Sequence, residues 1–365
     1  MTPKRSSTLA ALAATGILLL SACASNEPRA GDPTGSSGAE ALSGELSGAG
    51  ASSQGSASDA WIASFQKANR DVTINYSPDG SGAGRKAFAS GGVAYAGSDS
   101  ALSDEELAGD FAPCVPGTAA IDLPVYISPI AVVFNVEGVD ELDLDAATLA
   151  GIFKGTITAW DDPAIVALNP DADLPSATIT AVHRSDDSGT TKNFADYLSQ
   201  MAPDVWDAKP ADAFPYTAGE AAQGTSGVIL AVTNGKNTIG YADASKAGRL
   251  SVAAIEVGDE FVDYSPEAAA AVVEGSPLLS GRAANDIAIG LDRKTADPTH
   301  YPLVLVSYLI VCQDYEDDAV AELVKAYAGY IASPAGQAEA AASAGAAPLS
   351  EELSSRVASA IASIK

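Results

Sequence analysis

"ATITAVHRSDDSGTTKNFADYLSQM", Ala177 to Met201, is the stretch on which the fold turns. Its first eight residues are rich in β-branched side chains, as a strand requires. Its last eleven place Phe194, Tyr197, Leu198 and Met201 at helical spacing. Between them "SDDSGT" carries a serine suited to cap a helix. Strand, polar turn and helix form the repeating unit of an α/β protein. The same rhythm recurs in "VTINYS" (72–77) before "GSGAGRKAFASG", and in "GVAYAGSD" (92–99) before "SALSDEEL". "LPVYISPIAVVFNV" (123–136) reads as a buried strand ahead of a helix at 144–155, and "YPLVLVSYLIVC" (301–312) as a second one. Further helices are expected at 59–69, with Asp59 as N-cap, and at 219–234. Two amphipathic helices, "DDAVAELVKAYAGYIAS" and "SEELSSRVASAIAS", follow near the end. This alternation predicts an α/β fold with mainly parallel sheets.

The chain has 365 residues, with Lys+Arg 20 against Asp+Glu 47 and a formal net charge of −27. Such a surface excludes nucleic acid or anionic lipid held by a general basic patch. It does not exclude a small anion in a buried site, because charges are screened over about 8 Å at physiological salt. Lys4 and Arg5 precede "LAALAATGILLLSA", an apolar run too short to span a bilayer, so residues 1–22 read as an export signal. Its end, "LSAC", resembles the lipobox of bacterial lipoproteins. That resemblance implies lipidation of Cys23; the alternative is an ordinary secretory signal with a chance cysteine. Cleavage removes Lys4 and Arg5 and takes the formal charge from −27 to −29. Residues 23–43, poor in bulky apolar side chains, read as a flexible tether. An exported chain with two remaining cysteines favours a Cys114–Cys312 disulfide over two buried thiols.

In α/β sheets ligands sit at the carboxyl ends of strands, where loops meet helix N-termini. Four stretches fit that place: "GAGASSQG", "PDGSGAG", "AGSDSALSD" and "HRSDDSGTT". Ser52 and Ser53 read either as anion donors before a helix or as a continuation of the tether. Ser81 reads equally as a donor or as a turn residue. Asp99 is a helix cap, or else an acceptor for an anion that carries a proton. An ionised aspartate only accepts hydrogen bonds, so it favours phosphate, protonated at neutral pH, over sulfate. Arg184 offers a planar fork suited to a tetrahedral oxyanion. Asp186 or Asp187 would orient that fork, and Ser188, Gly189 and Thr190 would donate from a helix start. The competing reading is a surface ion pair beside a capping serine. With two histidines, no Cys/His cluster and no G-x-S-x-G elbow, no catalytic residue, metal or cofactor is expected. No Walker A pattern is present, "DELDLD" and "NPDADLP" lack the features of a calcium loop, and His183 reads as structural.

Taken in order, "LSGAGASS", "YSPDGSGAG", "VAYAGSDSALSDEEL", "LAGIFKGTITAWDDPAIVALNPDADLP", "AVHRSDDSGTTKNF" and "GTSGVILAVTNGKNTIGYAD" resemble the substrate-binding proteins of bacterial ABC phosphate importers. The resemblance implies a two-lobed α/β periplasmic binding-protein fold of type II, with two mixed sheets flanked by helices and joined by two crossing strands. Lobe I would comprise 44–132 plus 305–365, and lobe II 133–304, with crossings near 132–136 and 303–308. Phosphate-binding roles carry over to Ser52, Ser53, Ser81, Asp99, Arg184, Ser188, Gly189 and Thr190, with Asp186 orienting Arg184. Two departures stand out: Ser52-Ser53 where Thr-Phe is frequent, and Asp187 where Gly is frequent. Asp187 is expected to face solvent. The implied function is capture of inorganic phosphate by a monomer lipid-anchored to the outer face of the bacterial cytoplasmic membrane, and its delivery to permease subunits. The alternatives are another oxyanion (sulfate or molybdate), a phosphate-sensing lipoprotein that does not transport, and a phosphate-ester or serine hydrolase.

Overall fold

The computed structural model describes residues 41–365; Cys23, the expected signal and most of the expected tether lie outside the described residues. The described chain opens with β1 (Ser43–Gly50), α1 (Gly55–Ala68), β2 (Asp71–Ser77), α2 (Ser81–Ala89) and β3 (Tyr95–Ser98). A capped turn, α3 (Asp104–Leu107), leads to the long strand β4 (Ala120–Asn135). Then come β5 (Asp143–Leu144), α4 (Ala146–Lys154), α5 (Pro163–Leu168), β6 (Thr180–Arg184) and α6 (Gly189–Met201). They are followed by β7 (Glu220–Ala222), α7 (Gly224–Asn234) and β8 (Thr238–Asp243). Short strands β9 (Ser251–Val252), β10 (Ala254–Val257) and β11 (Glu260–Val262) precede α8 (Pro266–Glu274). The chain closes with β12 (Val304–Cys312), α9 (Asp318–Ala332), α10 (Pro334–Ala344) and α11 (Glu351–Ala362).

The main strands run in the order β2-β1-β3-β12-β4-β8-β6-β7, with β9 also on β4, and β11-β10-β5 form a small separate sheet. Strand β4 organises the whole. Every residue but Asn135 is buried, and at about 3.3 Å per residue its 16 residues reach roughly 50 Å. Ala120–Pro129 pair with β12, whereas Ile130–Asn135 pair with β8. One apolar strand therefore serves two sheets in succession.

The expectation of mainly parallel pairing needs correction. Pairs β1–β2, β1–β3, β6–β7 and β6–β8 are parallel, as helical crossovers produce. Strand β12 is antiparallel to β3 and β4, and β4 is antiparallel to β8. The reason is topological: β4 carries the chain out of the first sheet and β12 brings it back, so the two run in opposite senses.

Two helix starts also differ from expectation. Helix α1 begins at Gly55, because the Gln54 carbonyl already accepts from the Ser58 N–H at 2.7 Å; Asp59 lies inside the helix and caps nothing. The region from 219 is not helical throughout. Glu220–Ala222 extend the sheet beside β6, and α7 starts only at Gly224, whose φ of +67° suits glycine. Helix α10, alanine-rich and only weakly two-faced, was not anticipated. Cys114 and Cys312 are joined, with Cα atoms 5.3 Å apart, tying the 111–119 loop to the end of β12.

Candidate functional site

The four expected loops converge, and each is placed by the strand before it. Beyond β1, Ser53 is completely buried and Ser52 half-buried. The reading of this stretch as tether is thereby replaced: Gly48–Gly50 belong to β1, and Ser53 is core. Ser81 is the first residue of α2, buried, with Gly80 before it at φ +104°. Asp99 follows β3 directly and is 3 % exposed. Its backbone N–H donates to Ser81 Oγ at 3.1 Å, and its carbonyl accepts from Asn193 Nδ2 at 2.6 Å. Asp99 does not cap α3; Ser103 does, in a capping box with Glu106.

From the second sheet, Arg184 is the last residue of β6 and is 3 % exposed. Its Nε and Nη2 donate to Asp186 Oδ1 and Oδ2 at 2.8 and 2.5 Å, a bidentate pair. Asp186 also accepts from the Gly224 N–H at 2.9 Å, so it joins β6 to the start of α7. Asp186 is thus the orienting carboxylate. Asp187 lies at the surface, half-exposed as expected, and there accepts from Lys86 Nζ of α2 at 2.6 Å. Ser188 caps α6 by accepting from Thr191 N at 3.2 Å, and its own N–H is spent on the Asp212 carbonyl at 2.9 Å. That leaves its hydroxyl for a ligand. The N–H groups of Gly189 and Thr190, in the first turn of α6, have no partner within a helix by geometry.

The two loop sets touch. Asp99 Oδ1 accepts from Ser53 Oγ at 2.5 Å and from Ser307 Oγ of β12 at 2.6 Å, and Oδ2 accepts from Thr190 Oγ1 at 2.7 Å. A Cβ on Gly189 would lie 2.7 Å from Ser81 Oγ and 2.8 Å from Asp99 Cβ, so only glycine permits this approach. Ser52 Oγ meets Thr225 Oγ1 at 3.0 Å and accepts from Thr225 N at 3.0 Å. Arg85, 7 % exposed, holds Glu106, Ser98 and Ser100 beside it and reaches across to Asp212.

Charge is distributed unevenly over this ground. Burial pushes the Asp99 carboxyl up, while hydrogen bonds from Ser307, Ser53 and Thr190 and the Arg184 charge pull it back only partly. For Asp186 the balance is reversed. Burial raises it, but the Arg184 hydrogen bond and charge, with the Gly224 N–H, hold it below the usual carboxylate range. A cavity of about 600 Å³ adjoins Asp99 and is lined also by Lys192, Asn193, Arg282 and Tyr308; it touches none of the other expected residues. The convergence of donors, more than cavity size, marks the site. Among the described residues no His, Cys, Asp and Glu group is arranged to hold a metal ion.

All eight expected binding residues therefore lie in one contact network, with Asp186 behind Arg184. Ser307, Gln54, Thr225 and Asn193 belong to the same network and were not anticipated. Ser307 had a visible signal, being a polar residue inside the apolar run "VLVSYLIVC". Thr225 was hidden by the misplaced start of α7. His183 stacks on Phe214 at 4.0 Å and faces no ligand loop.

Facing loops closing on one buried carboxylate and one buried guanidinium define a small-ligand binding protein. The family described as the PBP superfamily domain matches residues 35–335. Phosphate-binding protein PstS 3 of Mycobacterium tuberculosis is 37 % identical over 325 residues, covering 86 % of this chain and 87 % of the relative. Phosphate-binding protein PstS 2 of the same organism is 33 % identical, covering 88 % and 89 %. A high affinity periplasmic phosphate-binding protein (PfluDING) solved with phosphate superposes with a TM-score of 0.71 at 23 % identity, over 87 % of this chain and 93 % of that one. A putative phosphate ABC transporter substrate-binding protein from Clostridium perfringens gives 0.60 at 19 % identity, over 84 % and 100 %. The chain belongs to the PBP superfamily and, within it, to the phosphate-binding proteins that these relatives represent.

Proposed function

We propose that this protein captures inorganic phosphate outside the cytoplasm and delivers it to an ABC importer, without catalysis. The observation that carries the reading is Asp99: a buried carboxylate that touches both loop sets while Arg184 supplies the opposing charge. In this reading the protons of Arg184 not spent on Asp186, the Ser81 and Ser188 hydroxyls and the first N–H groups of α6 donate to the oxyanion. Ser52 and Ser53 line the first loop. Asp99 accepts the proton that phosphate carries and sulfate lacks. Sulfate would face an uncompensated buried charge, whose cost is several kcal/mol (roughly 3–5).

Strand β4 changes partner between Pro129 and Ile130, and in this reading two lobes would open and close about that point. Lipidation of Cys23 would keep the receptor, as a monomer, at the outer face of the cytoplasmic membrane near its permease. The test is calorimetric titration of the exported chain, stripped of bound anion, with phosphate and with sulfate. Tight phosphate binding with no sulfate heat is expected. Equal binding of both, or no phosphate binding, overturns the reading, and turnover of a chromogenic phosphate ester that is lost in Ser188→Ala would replace it with a hydrolase.

A further inference from the structure

The reading above leaves open why one oxygen of Asp99 would meet the ligand. The bulge between β12 and β4, where Val125 of β4 is the extra residue, addresses this. The register of β12 against β4 shifts between Ser307, opposite Tyr126, and Tyr308, opposite Pro124. Bulges re-aim side chains beside functional sites. Pro124 has no N–H to offer the strand opposite, and the Tyr308 carbonyl instead accepts from Gln54 Nε2 at 3.1 Å. A carbonyl only accepts, so this contact fixes which end of the Gln54 amide is the NH₂. The same Nε2 donates to Ser307 Oγ at 2.7 Å. Ser307 therefore receives a hydrogen bond on its oxygen, and its single proton is directed at Asp99 Oδ1, 2.6 Å away.

Ser53 donates to that same oxygen at 2.5 Å, so both lone pairs of Oδ1 are used. Among the described residues Oδ2 accepts only from the Thr190 hydroxyl. We infer that Gln54 and Ser307 are positioning residues that commit Asp99 Oδ1 to the protein, leaving one lone pair of Oδ2 as the acceptor that admits protonated tetrahedral oxyanions. This rests on the phosphate-receptor reading and deepens it. Gln54, at the start of α1, and Ser307, on the crossing strand, act through Asp99 and not on the ligand.

The charged and titratable groups facing Asp99 are Arg184 of β6, Tyr76 of β2 and Asp243 of β8. Arg293 stands behind Asn193 of α6, and Lys192 lines the adjoining cavity. None of these groups hydrogen-bonds to the Ser307 or Gln54 side chain.

A hydrogen bond to a carboxylate favours its ionised form, so losing the Ser307 donor raises the pH at which Asp99 becomes able to accept. Phosphate affinity of the wild type, Ser307→Ala and Gln54→Met would be measured by calorimetry from pH 5 to 9, with thermal midpoints taken beside each. For Ser307→Ala we expect an affinity loss of about tenfold at pH 8 and an acid limb displaced upward by about one pH unit. Gln54→Met, which keeps volume and leaves the Ser307 hydroxyl untethered, should move the limb in the same direction by less. It carries the test if Ser307→Ala does not fold. An unchanged profile, or a loss equal at every pH, overturns the inference and leaves the pair structural. A wild type that binds no phosphate would instead overturn the receptor reading.

Discussion

Arg184 and Arg293 are both buried, yet their surroundings differ in kind. Arg293, with no exposed surface, donates to Asp196, to the Pro302 and Val304 carbonyls and to Asn193 Oδ1. Nearly its whole fork is committed to protein, and its chain partners flank the start of β12. Arg184 commits Nε and Nη2 to a single carboxylate and presents the rest of its fork to loops rich in hydroxyls. A buried cation that is fully satisfied holds a fold together; one held in place but only partly satisfied is prepared for an anion. On the proposed reading, the two arginines separate stability from binding.

That separation can be broken by exchange of roles. Arg184→Ala should lower phosphate affinity by about a thousandfold or more, because a hydrogen-bonded buried charge is lost opposite the ligand; calorimetry reads this directly. Arg293→Met should instead cost about 3–5 kcal/mol of stability, seen in denaturant unfolding, while the folded protein binds phosphate within about tenfold of wild type. If Arg293→Met loses binding as severely as Arg184→Ala, the distinction fails.

Replacing both Cys114 and Cys312 by serine should likewise act on stability alone. The bridge closes a sequence separation of 198 residues, and its loss should cost about 4 kcal/mol with phosphate affinity unchanged. Smallest is the exposed Lys86–Asp187 pair between α2 and the Arg184 loop. Lys86→Ala should change phosphate affinity by no more than about threefold, and that difference should vanish in about 1 M salt.

How much of this was readable beforehand depends on range. "VTINYS", "TIGYAD" and the run through Ile130 announced their strands because apolar pattern and β-branching are local. Arg184 and Asp99 were legible as candidates because guanidinium and carboxylate chemistry is written in the residue itself. What joins them was not. Ser53 meets Asp99 across 46 residues, Thr190 across 91 and Ser307 across 208, and no local pattern encodes such meetings. The antiparallel course of β4 and β12 escaped for the same reason: strand–helix alternation speaks for neighbours, while these strands are set by the chain's return after an excursion. Asp187 keeps to the surface as expected, but its partner Lys86 was not legible, because it lies on α2, 101 residues away in the chain. The start of α7 was misjudged because three residues of edge strand, Glu220–Ala222, carry too little pattern to stand apart from a helix.

The central claim, that Asp99 makes the ligand phosphate, is tested most directly by titrating the wild type and Asp99→Asn with phosphate and with sulfate at one pH near 8. An asparagine can donate as well as accept, so it no longer penalises a fully ionised ligand. The account predicts phosphate binding alone in the wild type. In Asp99→Asn it predicts measurable sulfate binding beside phosphate binding weakened by about tenfold, so that selectivity falls by more than affinity. Sulfate rejection that is undiminished in Asp99→Asn would contradict it.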